Sequence, residues 1–253
     1  MNENSRNYQK ELDAKIADFE DRGEVPTLLL HSCCGPCSSY CIEYLSNYFH
    51  ITVFYYNPNI TEQEEYNHRV QEQMRLIDSM PTKYPVSYVG GAYEPEKFYA
   101  MAEGLEDCKE GGERCFGCYD LRLLETAKKA KELGLEYFTT TLTISPMKSS
   151  KKLNEIGERI GEGLGVKFLN SDFKKKNGYK RSIELSKEYS LYRQNFCGCS
   201  YSKQEMEERE ARKREREALT GEVSKSVEPV CCGDRLYELE QAMEREKNFK
   251  NNC

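Results

Sequence analysis

The sequence predicts an α/β protein with a mainly parallel, Rossmann-like sheet flanked by helices and a helical C-terminal extension. Two observations carry this. Apolar runs of strand length alternate with stretches of helical periodicity, and the first run breaks at a Gly-Pro turn that opens a helix. A third sets the scale: 253 residues, 38% of them hydrophobic, suffice for a single core.

Tyr8, Leu12, Ile16 and Phe19 fall at helical spacing, so residues 1–24 are read as an N-terminal helix packed on the main body. Val25 to His31 reads as a buried strand ending at Ser32-Cys33-Cys34-Gly35-Pro36-Cys37, and a helix carrying Cys41, Tyr44, Leu45 and Tyr48 follows. In such a strand-turn-helix unit, ligands gather at the carboxyl ends of strands. Ile51 to Tyr56 is the second strand. Thr61-Glu62-Gln63-Glu64 then reads as a capping box opening a helix that faces the core with Tyr66, Val70, Met74 and Ile77. Val86 to Val89 is a shorter strand, and residues 90–117 read as a loop with helical pieces. A helix from Tyr119 to Leu133, a strand from Tyr137 to Ile144, a helix from Ser149 to Leu164 and a strand from Val166 to Leu169 complete the alternation. Residues 25–202 are expected to form the main domain. Residues 203–253 form a charged extension, Glu/Lys/Arg-rich from Lys203 to Leu219, with a further helix near Arg235 to Lys247.

Charged residues make up 32% of the chain and mean hydropathy is -0.81, yet the net charge is only -6. A net negative chain does not bind phosphate backbones indiscriminately, so any nucleic-acid contact must come from a local basic patch. No run approaches the roughly 18 apolar residues that cross a bilayer, and the first residues lack the apolar core of a signal peptide. A soluble cytoplasmic protein without membrane partners is expected. Twelve cysteines in that compartment then point to metal binding and redox chemistry rather than to structural disulfides.

The cysteines cluster as Cys33-Cys34-Gly-Pro-Cys37, Cys115-Phe-Gly-Cys118, Cys197-Gly-Cys199 and Cys231-Cys232. The first two precede helices, whose N-terminal N–H groups favour thiolates. Two C-x-x-C units also suit tetrahedral zinc, although they are farther apart in sequence than in a zinc ribbon. Cys34-Gly-Pro-Cys37 matches a dithiol redox motif, but the chain has more cysteines than a dithiol enzyme requires. Cys197 and Cys199 would close a small, strained and labile ring if oxidised, which suits two-electron storage; two packed thiols or further metal ligands are the alternatives. Cys41 and Cys108 read as core or incidental, and Cys231, Cys232 and Cys253 as accessory. Lys174, Lys175, Lys176, Lys180, Arg181, Lys187 and Arg193 interleave with Tyr179, Tyr189 and Tyr192, the footprint of an RNA contact or of an ordinary solvated face. Lys148, Lys151 and Lys152 would extend it.

His31-Ser-Cys33-Cys34-Gly-Pro-Cys37, Arg114-Cys115-x-x-Cys118, Thr139 to Pro146 and Leu191-Tyr-Arg-Gln-Asn-Phe-Cys197-Gly-Cys199 together resemble the QueH family of epoxyqueuosine reductases, from about Thr27 to Ser202. The resemblance implies reductive removal of the epoxide oxygen of epoxyqueuosine in tRNA. It implies a 4Fe-4S cluster on Cys33, Cys34, Cys115 and Cys118, and a redox-active pair in Cys197 and Cys199. It also implies room for an adjacent mononuclear iron or zinc ion, with Cys37 as its candidate ligand. An electron donor such as ferredoxin or flavodoxin follows from the reaction. The departing oxygen must be protonated, for which Asp120 and Tyr119 are the nearest candidates in sequence. Two other classes are a zinc-stabilised RNA-binding module without catalysis and a nucleotide-dependent tRNA-thiolating enzyme. The latter shares the strand-turn-helix opening of ATP pyrophosphatase-like (HUP-like) folds, but here cysteines replace the Gly-rich phosphate loop.

Overall fold

The computed structural model describes residues 6–220 and pairs five strands in one parallel sheet. They are β1 (Thr27–His31), β2 (His50–Tyr55), β3 (Val86–Gly90), β4 (Tyr137–Thr140) and β5 (Lys167–Phe168), in the order β3-β2-β1-β4-β5. The chain starts at the centre, builds outward through β2 and β3, then crosses back to place β4 on the other side of β1. The order therefore reverses between β1 and β4, and a crevice opens beyond the carboxyl ends of those two strands. Leu28, Leu29 and Leu30 are fully buried, as a central strand covered on both faces requires.

Helices cover the sheet: α1 (Tyr8–Arg22), α2 (Gly35–Leu45), α3 (Gln63–Ser79), α4 (Pro95–Ala102), α5 (Glu113–Glu132), α6 (Ser150–Leu164) and α7 (Gly178–Glu188). The described residues divide into two compact units, the first ending at Tyr192 and the second beginning at Arg193. The second contains α8 (Ser200–Thr220). The helix expected near Arg235 and the cysteines Cys231, Cys232 and Cys253 lie outside the described residues. Among those residues, no helix is long and apolar enough to cross a membrane.

Local chemistry explains the helix ends. The Asn7 side chain accepts the Lys10 N–H at 3.1 Å to start α1, and Gly23 stops it in the left-handed region. Tyr8, Leu12, Ile16 and Phe19 form its buried face, as their spacing predicts. Ser149 caps α6 through the Lys152 N–H.

Five expectations need correction. Tyr48 lies beyond the end of α2. The capping box is not made: Glu62 is the cap residue of α3, without a side-chain bond. Nor does α3 bury Val70, Met74 and Ile77; its buried line is Tyr66, Arg69, Gln73 and Leu76, and Met74 is exposed. Polar side chains take that face because they find partners there, Arg69 on Glu65 at 2.6 Å and Gln73 on the Ser32 and Ser38 hydroxyls. Finally, α5 starts at Glu113, so Cys115 and Cys118 lie inside its first turns, while β4 ends at Thr140 in a 3-10 turn over Thr141–Ile144. The Thr140 side chain accepts the Leu142 N–H at 3.1 Å, a local bond that competes with extending the strand.

The close approach of α6 to the sheet depends on Gly161, where a Cβ would stand 2.6 Å from the Val166 carbonyl oxygen. Backbone on both sides leaves no room to yield. Gly161→Ala is expected to destabilise the protein by about 1–2 kcal/mol, because overpacking costs about 1–3 kcal/mol against a helix-propensity gain of up to about 1 kcal/mol. Urea denaturation with an unchanged m-value measures it.

Candidate metal centre

The thiols Cys33, Cys34 and Cys37 gather at the carboxyl end of β1, with sulfurs all within 4.8 Å of one another. Cys34 is the cap residue of α2, Pro36 sets its first turn and Cys37 sits within that turn. The helix N-terminus places positive potential at the sulfurs.

Three neighbours hold this loop. The Cys33 N–H donates to Thr141 Oγ1 at 3.3 Å, and the Thr141 hydroxyl lies 3.4 Å from Cys33 Sγ, tying the loop to the end of β4. From the β2 side, the Tyr55 hydroxyl donates to the Cys33 carbonyl at 3.4 Å. Beneath, Ser32, Ser38 and Gln73 form a buried cluster, with Ser38 also donating to the Cys34 carbonyl.

On α5, Cys115 Sγ accepts the Gly111 N–H at 3.2 Å. The loop before it is pinned by buried Arg114, which donates to the Leu105 and Glu106 carbonyls. One turn after Cys118, Arg122 is 1% exposed. It donates to Cys118 Sγ at 3.8 Å and to Asn57 Oδ1 at 2.6 Å, and Asn57 in turn donates to the Ser32 carbonyl at 2.8 Å.

These positions set the electrostatics. Hydrogen bonds from Cys34 and Cys37 bring Cys33 well below the ordinary thiol range, with the Arg122 and Lys148 charges adding to the effect. Cys37 is pushed up by donating hydrogen bonds to Cys33 and Cys34 and by burial. Burial pushes Cys115 up, against the Gly111 N–H and the Lys148 charge. Arg122 thus acts on Cys33 and touches Cys118, while Lys148 acts on Cys33 and Cys115. The two cysteine pairs share their cations.

His31, fully buried at the end of β1, is driven down to about 3 by burial and by Arg122, whose Nε lies 3.4 Å from His31 Nε2. His31 Nδ1 lies 2.9 Å from Thr140 Oγ1, which also accepts the Leu142 N–H. Its Nε2 faces both the Tyr56 carbonyl at 3.1 Å and the Arg122 Nε–H, so the tautomer sets which ring nitrogen donates.

The structure brings Cys33, Cys34 and Cys37 into one set and leaves Cys115 and Cys118 outside it. A set of soft sulfur donors at helix N-termini, with buried cations beside it, fits a metal ion that binds thiolates. Cys41 is buried, and its pKa is raised by burial. Cys197 and Cys199 belong to the second unit, where Cys199 Sγ accepts the Ser202 N–H at 3.4 Å in the first turn of α8 and Gly198 takes a positive φ of 117° between them.

The basic segment is less cationic than its spelling suggests. Lys174 pairs with Asp172, Lys176 with Asp13, and Arg181 with Glu43, at 2.9, 2.6 and 2.6 Å. Lys175 and Lys180 are exposed, in no ion pair among the described residues. Tyr179 is buried, and Tyr192 donates to Glu65. Asp120 pairs with Arg159 and Tyr119 packs into the core. Sequence reasoning assigned no role to Arg122, Asn57, His31 or Thr141. A signal existed for two of them, since His31 and Asn57 are polar residues directly at the ends of apolar strand runs.

A family model described as "Epoxyqueuosine reductase QueH" matches residues 28–205. Relatives of that description include a Staphylococcus epidermidis protein, 42% identical over 200 residues that cover 78% of this chain and 84% of the relative. A Streptococcus pyogenes protein is 40% identical, covering 80% of each chain. A Thermotoga maritima protein is 36% identical, covering 73% of this chain and 94% of its own.

Because His31 falls from its ordinary 6.5 to about 3 on folding, the unfolded chain takes up this proton first. The stability it contributes is complete above about pH 6.5 and is lost as pH falls toward 3. His31→Gln is expected to flatten the acid limb of metal-free protein by up to about 1.4 kcal/mol per pH unit. Urea melts between pH 7 and 4 measure the difference in slope.

Proposed function

The chain belongs to the epoxyqueuosine reductase QueH family, and on that premise we propose how it removes the epoxide oxygen of epoxyqueuosine in tRNA: by two-electron reduction at an iron-sulfur centre held by Cys33, Cys34, Cys115 and Cys118. The observation that supports this reading is the gathering of Cys33, Cys34 and Cys37 at the sheet's switch point, with Arg122 and Lys148 serving both cysteine loops.

Conversion of an epoxide to an alkene breaks both carbon-oxygen bonds, consumes two electrons and two protons, and releases water. Cys33, Cys34, Cys115 and Cys118 would hold a cluster able to supply electrons one at a time, and Cys37 would hold an adjacent iron or zinc ion whose chemistry would be that of a Lewis acid. The protein's own residues do the rest. Gly111 N–H and Thr141 Oγ1 hydrogen-bond to Cys115 and Cys33, and hydrogen bonds to cluster sulfurs are among the means by which a protein sets potential. His31, held neutral, keeps a second positive charge out of the crevice and fixes the end of β1 through Thr140 and Tyr56. The Cys197/Cys199 dithiol stores the electron pair delivered by an external donor such as ferredoxin or flavodoxin, and Lys175 and Lys180 contact the tRNA backbone.

Anaerobically purified protein is expected to carry roughly four irons per chain, as a cubane cluster requires, with matching acid-labile sulfide. Cys33, Cys34, Cys115 and Cys118 changed singly to Ala lose the cluster absorbance, whereas Cys197→Ser and Cys199→Ser keep it and lose multiple turnover on epoxyqueuosine tRNA, read by nucleoside mass spectrometry. Stoichiometric zinc without sulfide sinks the cluster assignment, and full turnover in both Ser variants removes the dithiol.

Binding to tRNA is expected to lose about one unit of log-log salt slope per lysine in Lys175→Ala and Lys180→Ala. Lys176→Ala, whose partner is Asp13, changes it less. Filter binding across a salt series measures the contrast, and equal slopes in all three variants would return these lysines to a solvated face.

A further inference from the structure

We infer that Arg122 is a positioning residue that clamps the two cysteine loops into one metal-binding unit. This rests on the reading of those cysteines as ligands. One end of its guanidinium donates to Cys118 Sγ at 3.8 Å, on α5. The other donates to Asn57 Oδ1 at 2.6 Å, and the Asn57 amide donates to the Ser32 carbonyl at 2.8 Å, in the peptide that leads into Cys33. A continuous path of donors and acceptors therefore runs from a sulfur on α5 to the backbone of the loop after β1. Cys118 and Cys33 are remote in sequence and belong to different elements, so the spacing within either pair cannot set the separation between them.

The guanidinium suits this position for three reasons. Its planar fork aims several N–H groups in fixed directions, and it keeps its charge when buried. At 1% exposure that charge acts through little solvent, and Cys33 lies within its influence. Arg122 is itself anchored, because the Thr126 hydroxyl donates to its carbonyl at 2.7 Å and Asn57 is fixed by two partners. In known metal sites, outer partners of this kind orient ligands and their loss typically costs about 10–100-fold in metal affinity. The third guanidinium nitrogen, Nε, lies 3.4 Å from His31 Nε2.

The test uses cobalt(II) as the probe, because its thiolate charge-transfer band reports sulfur ligation whether the native cofactor is an iron-sulfur cluster or zinc. Reduced, metal-free full-length protein is titrated anaerobically, as wild type, Arg122→Gln and Asn57→Ala, with circular dichroism to check folding. Both variants are expected to bind cobalt about 10–100-fold more weakly with a reduced thiolate band. Arg122→Lys, which keeps the charge but lacks the fork, should fall between wild type and Arg122→Gln. Should Arg122→Gln fail to fold, Asn57→Ala carries the same prediction. Wild-type affinity and band intensity in the folded variants overturn the clamp. Cobalt binding that depends on Arg122, in a wild type that assembles no iron-sulfur cluster, supports the clamp while sinking the cluster assignment, so the two failures are distinguishable.

Discussion

Arg122 puts a permanent positive charge where only 1% of its surface meets water, and the crevice around it is organised by that fact. A buried charge costs several kcal/mol unless hydrogen bonds and opposite charge offset it. Asn57 and the Cys118 sulfur supply the first, and Cys33, whose thiol is drawn below its ordinary range, supplies the second. Burial, with this charge adding to it, drives His31, which the sequence would let titrate near neutrality, down to about 3, and the ring serves as a hydrogen-bonding strut. Cys33 responds in the opposite sense, lowered first by hydrogen bonds from Cys34 and Cys37 and further by the Arg122 and Lys148 charges. One buried arginine therefore adds to the pull toward an anion on one neighbour and against a cation on another, which is the electrostatic condition a thiolate-ligated metal needs.

The sheet topology provides the place for this arrangement. Because β1 is central and the chain crosses over to β4, the loops after these strands diverge and leave a crevice between them. The Cys33–Cys37 loop starts from one strand end, and Thr141 stands at the other, close enough to bond Cys33 through both its N–H and its sulfur. Tyr55, from the strand on the far side, fixes the Cys33 carbonyl. The loop is thus held from both flanking strands while α2 begins beneath it. Its thiols converge because the backbone is constrained on every side, and a flexible loop carrying the same cysteines would pay far more entropy to bring three sulfurs within 4.8 Å.

The basic segment illustrates the opposite relation between composition and structure. Its run of lysines and arginines invites an anion-binding reading, yet Asp172, Asp13 and Glu43 take up Lys174, Lys176 and Arg181. Two of those acids, Asp13 and Glu43, lie on α1 and α2, far away in sequence, so the local charge count overstated the field that a polynucleotide would meet. Lys175, Lys180 and Lys187, exposed and in no ion pair among the described residues, are what remains of the patch within the first unit.

The sequence by itself determined the elements whose signals are local. The apolar runs of β1 and β2, the capped helices α1 and α6, and the alternation that makes a parallel sheet all follow from periodicity and end chemistry. It also determined which residues could ligate a metal, because no other side chains offer soft sulfur donors in such spacing. Tertiary structure alone decided which face of α3 turns inward, since Gln73 looks solvent-bound until the Ser32 and Ser38 hydroxyls meet it. It alone decided that α5 begins before Cys115, where a pinned loop presents the Gly111 N–H, and that Arg122 is buried rather than solvated. The physical reason is common to these cases: a polar or charged side chain is stable inside only when partners from distant segments satisfy it, and those partners exist only once the chain has folded.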